Sequence, residues 1–165
     1  MARVSDEELR RLAAELGDKL RARSWMLATA ESCTGGWVGQ LLTALPGSSQ
    51  WYERGFITYA NAAKTEMLGV PAETIDEYGA VSEETAGAMA AGALAHSHAQ
   101  AALAISGIAG PGGGTPQKPV GLVCYGWALA DGTVMSSTCR LDGDREEIRS
   151  RAVAAALRGL IELIG

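Results

Sequence analysis

Leu9, Leu12, Ala13, Leu16 and Leu20 recur at helical spacing behind Ser5-x-x-Glu8, so residues 5 to about 22 are predicted to form an amphipathic helix opened by a capping box. The pattern then changes. WMLATA at 25–30 is an uncharged run suited to a strand buried on both faces, and TGGWVGQLLTAL after it reads as a helix stopped at Pro46-Gly47. YERGFITY at 52–59 is a further strand, followed by a short helix with Asn61 as its N-cap, which carries Lys64, Met67 and Leu68 and ends at Gly69. Ser82 caps an alanine-rich helix that runs to about His96, with Glu83 and Glu84 in its first turn. AALAIS at 101–106 is another buried strand. Beyond GIAGPGGGTPQKPVG, strands at 120–129 and 133–140 flank Asp131-Gly132 as a hairpin turn. The last helix opens at Asp144 with Glu147 behind it and places Ile148, Ala152, Ala155, Ala156, Leu160 and Leu163 on one face. Strands alternating with helices, closed by a hairpin, predict one three-layer α/β/α domain over residues 1–165 with a mixed sheet of about five strands.

Composition narrows what such a domain does. A chain of 165 residues that is 47% hydrophobic fills one core and leaves little for a second. Fourteen Lys and Arg against nineteen Asp and Glu give a net charge of −5, whose field repels a polyanion, so nucleic acid is not an expected partner. The opening MARVSDEELRR lacks the apolar centre of a secretion signal, and the apolar runs fall short of a membrane span. A cytoplasmic protein without a membrane partner is expected. Cys33, Cys124 and Cys139 follow neither a disulfide framework nor a metal spacing. A two-residue turn at Asp131-Gly132 would set Cys124 opposite Cys139, about 5.5 Å apart at Cα, unless a bulge at Gly126 breaks the register. A functional disulfide is not expected in a reducing compartment. His96 and His98 point to different sides of a helix end, and no metal or cofactor is expected.

In open α/β sheets ligands bind beyond the carboxyl ends of the strands, which selects residues 31–36, 59–64 and 107–118. AESCTGG places Ser32 and Cys33 where a strand gives way to a helix. There the free N–H groups stabilise a developing anion, and Gly35 and Gly36 allow close backbone approach. Ser32 or Thr34 also fits there as a simple N-cap. Lys64 falls in the first turn of its helix, opposed by the dipole. A buried amine there would lose its charge and could deprotonate a serine, whereas an outward lysine would only be solvated. Tyr59 either hydrogen-bonds in the same cleft or packs its ring. SGIAGPGGGTP is a ligand loop or a flexible crossing, and it has neither the P-loop ending nor the dinucleotide register. Arg145, beside the cap of the last helix, suits a phosphate or pairs with neighbouring glutamates.

The segments TAESCTGG, ITYANAAK, LGVP, YGAVSEETA, SGIAGPGGGTPQKPVG and GDREEIR, in this order, resemble the CinA C-terminal domain family from about residue 5 to residue 163. Its enzymatic members are nicotinamide-nucleotide amidases. The resemblance implies hydrolysis of the carboxamide of nicotinamide mononucleotide to nicotinate mononucleotide and ammonia in pyridine nucleotide salvage, by a metal-free serine-lysine mechanism without cofactor, in a homodimer. It implies Ser32 as nucleophile, Lys64 as base and Tyr59 as a supporting hydrogen-bond partner, with Cys33 a small apolar neighbour. Backbone N–H groups at Thr34, Gly35 and Gly36 would then hold the oxyanion, and Ser106, Gly107, Gly110, Gly113 and Arg145 would bind substrate around the ribose phosphate. Ser106 stands where the family usually has threonine, and its hydroxyl is expected to keep a hydrogen bond. The larger N-terminal domain of many members, similar to molybdopterin-binding proteins, is absent from this sequence, so a stand-alone form is expected. Some members are associated with competence or DNA damage. A nucleotide-binding regulatory module is therefore the second reading, and a serine hydrolase acting on another amide or ester the third.

Overall fold

The structure is a computed structural model that describes residues 3–165. Met1 and Ala2, which open both the predicted domain and the stretch read for a leader, lie outside the described residues. Helix α1 (Asp6–Ala22) starts where predicted, with Leu9, Leu12, Ala13, Leu16 and Leu20 buried, but its capping box is half formed: the Glu8 N–H donates to the Ser5 hydroxyl, while the Glu8 carboxylate accepts from Arg11 instead of from Ser5. Strand β1 (Leu27–Glu31) is buried throughout. Helix α2 (Trp37–Thr43) begins later than the sequence suggests, because Gly35 and Gly36 sit at φ 59° and 103°, outside the helical region. The chain continues through β2 (Tyr52–Ile57), α3 (Asn61–Leu68), α4 (Ala72–Tyr78), α5 (Glu83–Ala95), β3 (Ala101–Gly107), β4 (Leu122–Leu129), β5 (Val134–Arg140) and α6 (Arg145–Ile164).

Local departures from the sequence reading have local causes. The N-cap of α3 is Ala60, without a side-chain bond, so Asn61 is the first helical residue and Lys64 lies one position deeper than expected. Helix α4 buries no residue, so no apolar stripe announces it. At the hairpin, the Leu129 N–H donates to the Thr133 carbonyl at 2.9 Å and the Gly132 N–H to the Leu129 carbonyl at 3.0 Å. Ala130, Asp131 and Gly132 thus form the loop, closed by Gly132 at φ 97°, in place of a two-residue turn. That extra residue shifts the register. Cys124 faces Thr138 and Cys139 faces Val123, which puts the two sulfurs on opposite faces of the sheet, and all three cysteines are free.

The sheet runs β2-β1-β3-β4-β5, with β1 parallel to both neighbours and the rest antiparallel. Leu27, Leu103, Ile105, Tyr125 and Trp127 point to the layer of α1, α2 and α6. Ala28, Ala30, Ala102, Ala104 and Ala128 point to the other layer, against Met89, Ala90 and Ala93 of α5 and Leu68 of α3. The second face is built of alanine because α5 lies so close to it: a Cβ on Gly126 would stand 2.1 Å from the Ala86 carbonyl oxygen. Gly126 therefore serves close packing. It makes no bulge, pairing with Ala104 and Ser136 in unbroken register. Among the described residues no helix is long and apolar enough to cross a membrane.

The link from β1 to β2 passes over one face through α2, and the link from β2 to β3 passes over the other through α3, α4 and α5. The C-terminal ends of β1, β2 and β3 consequently surround a crevice at the point where the strand order reverses.

Candidate active site

A cavity of about 300 Å³ fills that crevice, with Ser32, Lys64, Ser106, Gly107, Tyr59 and Arg145 in its wall. Ser32 is 8% exposed and Lys64 1%. Lys64 Nζ lies 2.9 Å from the Thr58 carbonyl oxygen, 3.4 Å from that of Tyr59 and 3.2 Å from Ser32 Oγ. Burial lowers the pKa of this amine below the ordinary lysine value. Its hydrogen-bond partners are uncharged. A neutral amine fits them well, with its N–H groups on the carbonyls and its lone pair toward the serine O–H.

Ser32 is held at the strand end by its N–H, which donates to the Ile105 carbonyl at 3.0 Å, and by its carbonyl, which accepts from the Gly35 N–H at 3.0 Å. Cys33 is buried beside it, and burial pushes its thiol up to about 11, against the opposing pull of Arg149. It is a thiol at neutral pH and a poor nucleophile.

Glu31, 2% exposed, decides what the start of α2 can do. Its carboxyl oxygens accept from the N–H groups of Gly36, Val38 and Gly39 at 3.2, 3.0 and 3.1 Å and from the Thr34 hydroxyl at 2.6 Å. Of the three N–H groups expected to meet substrate, that of Gly36 is thus taken by Glu31 and that of Gly35 by the Ser32 carbonyl. Thr34, Gly35 and Gly36 also lie outside the cavity wall, and the two glycines face a separate groove with Glu31 and Tyr52. The donors left beside the nucleophile are the Thr34 N–H, which has no acceptor among the described residues, and the Cys33 N–H, which has only its own thiol nearby.

At the far end, Ser106 Oγ donates to the Ala80 carbonyl at 2.7 Å and so ties the segment before α5 to the end of β3. Arg145 donates to the Gly110 carbonyl at 2.8 Å and to Tyr59 Oη at 3.2 Å. The tyrosine is therefore split between two roles. Its backbone carbonyl meets Lys64, while its phenol, on a residue 62% exposed, meets Arg145 at the rim rather than the serine. Gly110 and Gly113 adopt φ of 78° and 90°, and the N–H groups of Gly110, Gly112, Gly113 and Gly114 have no acceptor among the described residues. Among the described residues no group of His, Cys, Asp and Glu could hold a metal ion.

Two residues of this site are not singled out by the sequence reading. Glu31 had a visible signal, an acid at the end of a strand otherwise buried and uncharged. Arg149 donates from Nε to the Cys33 carbonyl and from Nη2 to the Thr34 carbonyl, each at 3.0 Å. It lies one helical turn after Arg145, on the same side of α6.

Comparison with known proteins places this geometry. The CinA C-terminal domain model matches residues 9–164. The chain is 48% identical over 157 residues to the nicotinamide-nucleotide amidohydrolase PncC of Escherichia coli (strain K12), with 95% of each chain covered. It is 54% identical over 131 residues to a CinA-like protein of Mycolicibacterium gilvum (strain PYR-GCK), where the match covers 79% of this chain and 31% of that one. The crystal structure of the competence/damage inducible protein CihA from Agrobacterium tumefaciens superposes with a TM-score of 0.92 at 45% identity, covering 99% of this chain and 98% of that one. With the family model matched over residues 9–164 and the fold superposing over nearly its whole length, the chain belongs to the CinA C-terminal domain family.

Proposed function

We propose that this protein hydrolyses the carboxamide of nicotinamide mononucleotide to nicotinate mononucleotide and ammonia, with Ser32 as nucleophile and Lys64 as general base. The observation that carries the reading is the buried amine 3.2 Å from the serine oxygen with no carboxylate bonded to it, on a chain 48% identical to a nicotinamide-nucleotide amidohydrolase. Neutral Lys64 takes the Ser32 proton as Oγ attacks the carboxamide carbon. The N–H groups of Cys33 and Thr34 receive the oxyanion, replacing the Thr34 to Gly36 set suggested by sequence. The lysine returns its proton to the departing amide nitrogen, ammonia leaves, and an acyl ester remains on Ser32. Lys64 then deprotonates a water that attacks the ester, the acyl C–O bond breaks as Lys64 hands that proton to the departing Ser32 Oγ, and the carboxylate product is released. The glycine-rich loop offers free N–H groups for the nucleotide phosphate, with the Arg145 guanidinium beside them. The same reading has the protein act as a cytoplasmic homodimer in pyridine nucleotide salvage.

Ammonia release from nicotinamide mononucleotide tests this directly. Ser32→Ala and Lys64→Met are expected to lose activity by about 10²–10⁴-fold, and Cys33→Ala to keep it. Loss in Cys33→Ala with activity retained in Ser32→Ala would move the nucleophile to the thiol. Absence of release by the wild type would leave a nucleotide-binding module.

A further inference from the structure

We infer that Arg149 is a positioning residue for the nucleophile loop, one that aims and polarises the N–H groups on which the oxyanion depends. The inference rests on the Ser32 reading above. Arg149 is absent from the cavity wall, and its guanidinium bonds go to the backbone of the nucleophile loop. Its planar fork spans two successive carbonyls, those of Cys33 and Thr34. In a planar trans peptide the N–H points opposite to the C=O. Fixing the Cys33 carbonyl therefore aims the Thr34 N–H away from Arg149, and fixing the Thr34 carbonyl aims the Gly35 N–H. That second N–H donates to the Ser32 carbonyl, which in turn orients the peptide carrying the Cys33 N–H. One guanidinium thus sets both free donors. A cation on the carbonyl also strengthens donation from the N–H of the same peptide. The Trp37 ring, 5.4 Å from the guanidinium carbon, holds this plane in place.

The test compares Arg149→Ala and Arg149→Lys with the wild type in two assays: ammonia release from nicotinamide mononucleotide, and labelling of Ser32 by a fluorophosphonate, followed by mass spectrometry. Arg149→Ala is expected to lower kcat roughly 10²-fold with KM nearly unchanged, and to slow labelling in parallel. Millimolar guanidinium should restore part of its rate and leave Ser32→Ala inactive. Arg149→Lys, able to serve one carbonyl, should fall between. A folded Arg149→Ala with wild-type kcat and labelling rate, or a loss confined to KM, overturns the inference. If Arg149→Ala does not fold, wild-type kcat in Arg149→Lys does the same. A wild type that neither releases ammonia nor is labelled removes the Ser32 reading itself, and this inference with it.

Discussion

Lys64 Nζ sits 3.2 Å from Ser32 Oγ with its other hydrogen bonds on backbone carbonyls, so its charge is set by burial and not by a counter-ion. A base must be unprotonated to act. We expect kcat/KM for ammonia release to rise with pH and to level off below the ordinary lysine value of about 10.4. A profile that falls over that range would exclude Lys64 as the base.

The same lowered pKa shapes stability. The unfolded chain holds a lysine proton up to about pH 10.4, while the folded chain releases it earlier, so between the two values the unfolded state binds more protons. Stability from this group therefore rises with pH across that window. Below it the lysine is charged in both states, and the cost of burying that charge is fully present. Lys64→Met lacks this dependence. Urea unfolding of both proteins at a series of pH values should show the difference moving in favour of the wild type as pH increases.

Glu31 occupies the donors at the start of α2 and fixes the turn that carries Ser32. Glu31→Ala leaves those N–H groups without acceptors and is expected to cost about 2–4 kcal/mol in denaturant unfolding. kcat should drop more than KM rises, since the loop and not the substrate contacts is disturbed. Glu31→Gln keeps an acceptor oxygen and should lie between.

Arg145 already reaches across the rim to Gly110 and Tyr59, beside loop N–H groups that lack acceptors. Arg145→Ala is expected to lower kcat/KM for nicotinamide mononucleotide about 10–100-fold, as loss of a charge-assisted hydrogen bond does. Nicotinamide riboside, without the phosphate, should be nearly indifferent to the change. Equal losses on both compounds would place the guanidinium elsewhere on the substrate.

Two glycines separate packing from backbone strain. A methyl on Gly126 meets the Ala86 carbonyl at 2.1 Å, so Gly126→Ala must push α5 off the sheet and should cost about 1–3 kcal/mol. At Gly132 nothing lies within 4 Å, and only its φ of 97° opposes a side chain. Gly132→Ala should cost about 1 kcal/mol by the same thermal or urea measurement.

The helix caps at Ser5 and Asp144, the buried runs of β1 and β3 and the alternation of strands with helices are all local patterns, and they determine the three-layer architecture. They also make Ser32 and Lys64 candidates, because each falls where a strand end hands over to a helix. Tertiary structure decides the rest, because a hydrogen-bonding group binds whatever lies nearest in space. One extra residue in the hairpin loop keeps Cys124 and Cys139 apart. Glu31 takes the helix donors that the sequence leaves open to substrate, the Tyr59 phenol turns to Arg145, and Arg149 reaches back across more than a hundred residues of chain to the nucleophile loop. Periodicity reports which face of an element is buried, and only packing selects the partner that meets each polar atom.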